Sequence, residues 1–125
     1  MIYGIGTDLV EVNRMEKIIQ RWGERFTEKV YSQDEIDYCT RKAYPAIHYA
    51  ARFAAKESFL KSLGIGLGMG VSLKDIEIIN NAQGNPQLKM NERIRKVLDT
   101  HGIISVQISM THTRDHAHAV VILEQ

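Results

Sequence analysis

The stretch AARFAAKESFLKSLGIGLGMG, residues 50–70, decides how this chain is read. It has the form of a helix that runs into a glycine-rich loop. On a wheel of about 100° per residue, Glu57 and Lys61 share a face with the small residues Ala50 and Ala54. Arg52 and Lys56 fall instead within the arc of Phe53, Phe59, Leu60 and Leu63. An ordinary surface helix keeps its charges opposite the apolar stripe. Charges on both faces, followed by glycines at every second position, point to a helix that builds a site.

Upstream, Pro45 closes one helix or opens the central one, which continues to Leu63. Residues 31–41 carry a helix start signal, with Ser32 as N-cap and Glu35 three residues on, a capping box. Residues 10–25 predict another helix, and residues 1–7 a short strand containing Gly4 and Gly6. Asp8 then falls where strand meets helix. Downstream, VSLKDIEIIN (71–80) alternates as a strand does. NNAQGNPQL gives a turn and a short extended piece. MNERIRKVLDTHG predicts an amphipathic helix, with Asn91 as N-cap and Gly102 as C-cap. IISVQISM (103–110) and HAVVILE (118–124) are strands joined by a hairpin. The sum is an α+β fold: one domain over residues 1–125, with helices packed on a mostly antiparallel sheet.

Size and composition agree with this. The 125 residues suffice for one domain with a core and are too few for two. The chain is 44% hydrophobic and 25% charged, the balance of a soluble globular protein. A net charge of +1 argues against a generally basic nucleic-acid binder. The single cysteine, Cys39, allows no internal disulfide and reads as a buried small hydrophobe, which fits a reducing compartment. The N-terminus lacks the features of a signal peptide, and no apolar run is long enough to span a bilayer. A cytoplasmic protein with no membrane or nucleic-acid partner is the expectation.

Four groups of residues can carry chemistry. Asp8 and Glu57 each sit among small or apolar neighbours, where an ionised carboxylate is costly unless paired or metal-bound. Two carboxylates plus water and phosphate oxygens are a usual way to hold Mg²⁺. The plainer readings are a helix N-cap for Asp8 and an i,i+4 ion pair with Lys61 for Glu57. Lys61 and the glycines from Gly64 onward form the second group, in which backbone N–H groups could approach an anion closely. The helix VEVNRMEKIIQRWGER is the third. It sets Arg14, Lys17, Arg21 and Arg25 beside the apolar Met15, Ile18, Ile19 and Trp22. This is either a solvated face or a dock for an acidic partner. The fourth, THTRDHAHA, holds His112, His116 and His118. Its spacing matches none of the common zinc motifs, so one histidine donating to a phosphate is the preferred reading.

Together these segments resemble the holo-[acyl-carrier-protein] synthase family, the small bacterial type of 4'-phosphopantetheinyl transferase. GIGTDLVEVNR (4–14) is similar to that family's N-terminal signature. RFAAKESFLKSLGIG (52–66) is similar to its central WxxKExxxK-type signature, with Phe53 in the aromatic position. ISMTHTRDHAHAVVILE (108–124) is similar to its C-terminal strand pair. The resemblance spans nearly the whole chain. It departs from the family at Ile65, where a threonine often stands, and in the glycine-rich extension LGMG.

The resemblance implies transfer of 4'-phosphopantetheine from coenzyme A to a serine of apo acyl carrier protein. Adenosine 3',5'-bisphosphate is the other product, and fatty acid biosynthesis the setting. It implies Asp8 and Glu57 as Mg²⁺ ligands, Glu57 and Lys61 as catalytic, and Lys61, Gly64, Gly66 and His112 at the coenzyme A site. Arg14 and Arg21 would dock the carrier protein. It also implies a homotrimer with active sites between subunits. The serine proton needs an acceptor, for which Glu57, a metal-bound water, Asp34 and Glu35 are the candidates. Direct metal ligation by Glu57 competes with service as a free base, which favours a water-mediated base.

Overall fold

A computed structural model describes residues 1–64 and 70–125. In chain order it has β1 (Ile2–Glu11), α1 (Val12–Trp22), α2 (Glu24–Val30), α3 (Gln33–Thr40) and α4 (Pro45–Leu63). A 3₁₀ turn (Leu73–Asp75), β2 (Ile78–Asn80), β3 (Pro86–Leu88), α5 (Glu92–Thr100), β4 (Ser105–His112) and β5 (His116–Glu124) follow. The main sheet is antiparallel in the order β1-β5-β4, and β2 and β3 form a separate two-stranded ribbon. α4 lies across one face of the sheet. This is the α+β arrangement that the sequence predicts.

The inner face is built from small residues at alternate positions. Ala117, Ala119, Val121 and Leu123 of β5 are wholly buried there. On β1, Gly4 and Gly6 take the same face. A Cβ on Gly4 would run into the Ser62 carbonyl, and one on Gly6 into the Ser58 carbonyl. The glycines let the backbones of β1 and α4 touch, and the Ser58 hydroxyl donates to the Ala119 carbonyl at 3.2 Å. Two apolar clusters flank this contact. One gathers Phe59, Leu60, Ile76, Ile78, Ile94 and Val121. The other gathers Met15, Tyr31, Cys39 and Tyr49 under α1 to α3, where the Tyr31 hydroxyl donates to the Tyr49 carbonyl at 2.7 Å. Burial pushes the Cys39 thiol up to about 12, so it is an inert core residue.

The capping box at the start of α3 forms as predicted: Glu35 N–H donates to Ser32 Oγ, and Ser32 N–H to Glu35 Oε1. Asn91 caps α5 through Ile94 N–H. Several predicted boundaries differ, among them those of the C-terminal hairpin, whose strands run Ser105–His112 and His116–Glu124. β1 extends to Glu11, and α1 starts at Val12 rather than Val10, so Asp8 is a strand residue and caps no helix. The 10–25 helix breaks at Gly23, whose φ of 53° is costly for other residues. Only Ile78–Asn80 of the 71–80 segment is strand, because Ser72 and Asp75 close a capping box around the 3₁₀ turn. The α5 cap position belongs to His101, with Gly102 (φ 69°) one residue beyond.

Among the described residues, no helix covers the outer face of the main sheet around Ile5 and Leu9. Ile5 and Leu9 stand 56% and 63% exposed there, in register with Ile122 and His118 of β5. Among the described residues no helix is long and apolar enough to cross a membrane.

Candidate active site

β1 and α4 bring the carboxylates together. Asp8 sits on the inner face of β1, opposite Ala119. Glu57 projects from α4, and Lys61 stands one turn further along the same helix. Lys61 does not turn back to Glu57. Its Nζ crosses to β1 and donates to Asp8 Oδ1 at 3.0 Å and to the Thr7 carbonyl at 3.0 Å. The Glu57 carboxyl is raised above its ordinary value, first by partial burial and then by the Asp8 charge, with Lys61 opposing. A carboxylate whose ionisation its neighbour's charge disfavours marks a site short of positive charge. Lys61 supplies part of it, and a hard divalent cation that keeps waters and takes phosphate oxygens suits the remainder.

A zinc cage does not suit these residues. His112 faces α4 in register with Ala117, whereas His118 pairs with Thr111 on the outer face, which His116 shares. Among the described residues no three His, Cys, Asp or Glu side chains gather for a metal.

From Asp8 a cleft of about 440 Å³ opens along α1, lined among others by Arg14, Met15, Phe26, Phe53 and His116. Asp8 therefore borders the basic helix. Arg21 lies further along it, its guanidinium 5.1 Å from the centre of the Trp22 ring.

His112 belongs to a second group. Its ring centre is 6.0 Å from that of His48 on α4. Arg52, only 2% exposed, donates through Nη2 to Asn80 Oδ1 at 2.9 Å and stacks 4.0 Å over Tyr38. Lys42 Nζ lies 4.6 Å from the same ring. Arg52 Nε is buried without a hydrogen-bond partner. The His48 pKa is lowered, first by burial and then by the charges of Lys42, Arg52 and His112. Such a cluster favours an anion. The sequence reading found His112 but missed Arg52, His48 and Lys42. The one signal was Arg52 in the apolar arc of its helix.

Of the glycines, Gly64 ends α4 in the left-handed region (φ 75°), and its N–H is taken up by the Leu60 and Lys61 carbonyls. Its contribution is the chain reversal rather than a free amide. Gly66 and Ile65 lie outside the described residues. Glu35 is buried in an ion pair with Lys56, 2.7 Å away, and leaves the list of candidate bases. Asp34 remains exposed.

Residues 4–121 match the family model of the 4'-phosphopantetheinyl transferase superfamily. A holo-[acyl-carrier-protein] synthase of Syntrophus aciditrophicus is 54% identical over 124 residues, covering 99% of this chain and 97% of that one. The crystal structure of the Neisseria meningitidis holo-[acyl-carrier-protein] synthase superposes with a TM-score of 0.93 at 34% identity, over 100% of both chains. The Helicobacter pylori synthase, solved in complex with coenzyme A, gives a TM-score of 0.85 at 32% identity, over 96% of this chain and 99% of that one.

Proposed function

This chain belongs to the 4'-phosphopantetheinyl transferase superfamily, and from that premise we propose how its residues carry out the transfer. The protein moves the 4'-phosphopantetheine of coenzyme A onto a serine of apo acyl carrier protein, as a holo-[acyl-carrier-protein] synthase does. The observation that carries the mechanism is the convergence of Asp8, Glu57 and Lys61 across the β1–α4 contact.

In the reaction the serine oxygen bonds to the phosphorus that bears pantetheine. The bond from that phosphorus to the bridging oxygen breaks, and adenosine 3',5'-bisphosphate leaves. Such transfers ask for positioning and charge neutralisation more than for covalent help. Asp8 and Glu57 would hold Mg²⁺, which when bound supplies positive charge against the pyrophosphate oxygens. Lys61 adds a cation that can swing from Asp8 to phosphate, and it stabilises the charge that builds there. The serine proton passes to a water held at the carboxylates, since a Glu57 engaged in ligation would be a weaker base.

The group of Arg52, His48 and His112 takes the 3'-phosphate of coenzyme A. The buried, unpartnered Arg52 Nε supports this placement. Gly64 turns the chain at the end of α4 beside the nucleotide. Arg14 and Arg21 receive the acidic carrier protein, with Arg14 at the cleft that leads to Asp8. The uncovered apolar face around Ile5 and Leu9 is the seam of a homotrimer that places each active site between subunits. The cytoplasm, where a free cysteine such as Cys39 stays reduced, is the compartment. Fatty acid biosynthesis is the process served.

The decisive experiment incubates the protein with coenzyme A, Mg²⁺ and apo acyl carrier protein. The expected result is a carrier heavier by one phosphopantetheine, with the gain abolished by a chelator and restored by Mg²⁺. An unmodified carrier would refute the transfer, and modification indifferent to chelation would refute the metal.

A further inference from the structure

The central signature holds two neighbouring residues of opposite fate. Glu57 turns to the site, while Lys56 is wholly buried on another side of α4. All three protons of its ammonium have acceptors: Glu35 Oε1 at 2.7 Å, the Leu73 carbonyl at 2.9 Å and the Ile76 carbonyl at 2.6 Å. Glu35, 1% exposed, is equally saturated, for it also accepts from Ser32 N–H at 3.0 Å and Ile78 N–H at 3.1 Å. The pair thus ties α4 to the N-terminus of α3, to the 3₁₀ turn and to β2.

A buried ion pair is weak evidence of stability, because apolar residues of similar volume often do as well. Its particular capacity is to fix one arrangement among several. α4 has need of that. Its contact with Gly4 and Gly6 of β1 is backbone on backbone, against the Ser58 and Ser62 carbonyls, so at those positions no side chain opposes sliding or rolling. Among the described residues, the polar ties on that side are the Ser58 hydroxyl bond and those of Lys61, half exposed, to Asp8 and the Thr7 carbonyl. Lys56 lies about 200° and 240° around the helix from Ser58 and Ser62, on the opposite side from the smooth contact. Three fixed acceptors there define both the rotation and the axial position of α4.

We propose that Lys56 and Glu35 are positioning residues for the transfer: their pair sets the rotation and slide of α4 that bring Glu57 opposite Asp8. This rests on the reading of Asp8 and Glu57 as holders of a divalent ion. The test titrates the full chain with Mn²⁺, followed by electron paramagnetic resonance, with circular dichroism reporting the folded fraction. The double variant Glu35→Gln with Lys56→Met removes both charges at nearly constant volume. It is expected to fold and to bind Mn²⁺ at least tenfold more weakly per folded molecule, with its KM for carrier protein unchanged. A folded double variant that binds Mn²⁺ within twofold of the parent overturns the proposal. Glu35→Gln alone keeps an acceptor for Lys56 and serves should the double variant not fold. Severalfold weaker Mn²⁺ binding is expected there, and parental binding overturns the proposal equally. Glu57→Gln separates the two readings: if it binds Mn²⁺ as the parent does, the metal site itself is refuted, whatever the Lys56 variants do.

Discussion

Lys61 on α4 reaches across to β1 and holds Asp8 at 3.0 Å, when Glu57 stands one helical turn away on its own face. The lysine therefore serves the strand's carboxylate and leaves Glu57 short of a partner. Replacing it tests this division of labour. Lys61→Met is expected to cut kcat about a hundredfold, the scale of losing one group that stabilises developing charge. The half-exposed pair contributes less than about 1 kcal/mol to folding, so the denaturation midpoint should barely move. A large loss of stability with near-normal turnover would contradict the assignment.

Glu57 has a signature in pH. Its pKa is raised in the folded state by partial burial and by Asp8, so the folded chain binds this proton more tightly than the unfolded chain does. Between the ordinary and the raised value, stability then falls as pH rises, and the deficit persists at all higher pH. In the metal-free protein, Glu57→Gln should raise the melting temperature at pH 7 and leave it unchanged well below pH 4. The same variant should lose activity and Mg²⁺ response together. Normal activity with an unchanged Mg²⁺ response would remove Glu57 from the site.

Gly6 has a carbonyl where a Cβ would go. Gly6→Ala sets side chain against backbone that cannot rotate away, and about 3 kcal/mol of destabilisation is expected, the upper end of ordinary overpacking. A urea melt measures it. An alanine variant as stable as the parent would mean that β1 and α4 do not touch as described.

Charge reversal at Arg14 should act on one substrate only. Arg14→Glu is expected to raise KM for acyl carrier protein about tenfold, or roughly 1.4 kcal/mol, and to leave coenzyme A binding by itself unaltered in a calorimetric titration. Equal losses for both ligands would place Arg14 at the nucleotide instead.

Leu9 probes the uncovered sheet face. Leu9→Lys puts a charge into the proposed subunit seam, and light scattering should show the trimer mass falling to the monomer mass, with activity lost in step. A variant of unchanged mass would put the seam elsewhere.

Periodicity made most of this fold readable. α4 and the β4–β5 hairpin follow from unbroken helix formers and clean alternation, and Ser32 with Glu35 announced α3 in four residues. The end of β1 escaped because Asp8 is a charged residue on the inner face, where alternation leads one to expect an apolar residue. The carboxylate pair was singled out from their apolar neighbours, where an acid is costly unless paired or bound to an ion. The cluster around Arg52 draws on residues 38, 42, 48, 80 and 112 and has no local signature. Lys56 was read only as a charge within the apolar arc, since a lysine in a helix carries no mark of the acceptors that await it.

The backbone-to-backbone seat of α4 on Gly4 and Gly6 also bears on how this enzyme responds to heat. Side-chain layers soften on warming as rotamers become populated, and a site mounted on them drifts gradually out of true. Main-chain atoms in direct contact have no rotamers to populate, so the height of the helix above the strand stays fixed until the contact parts. The spacing of α4 above β1 should then persist up to the melting transition and vanish with it, in a single cooperative step.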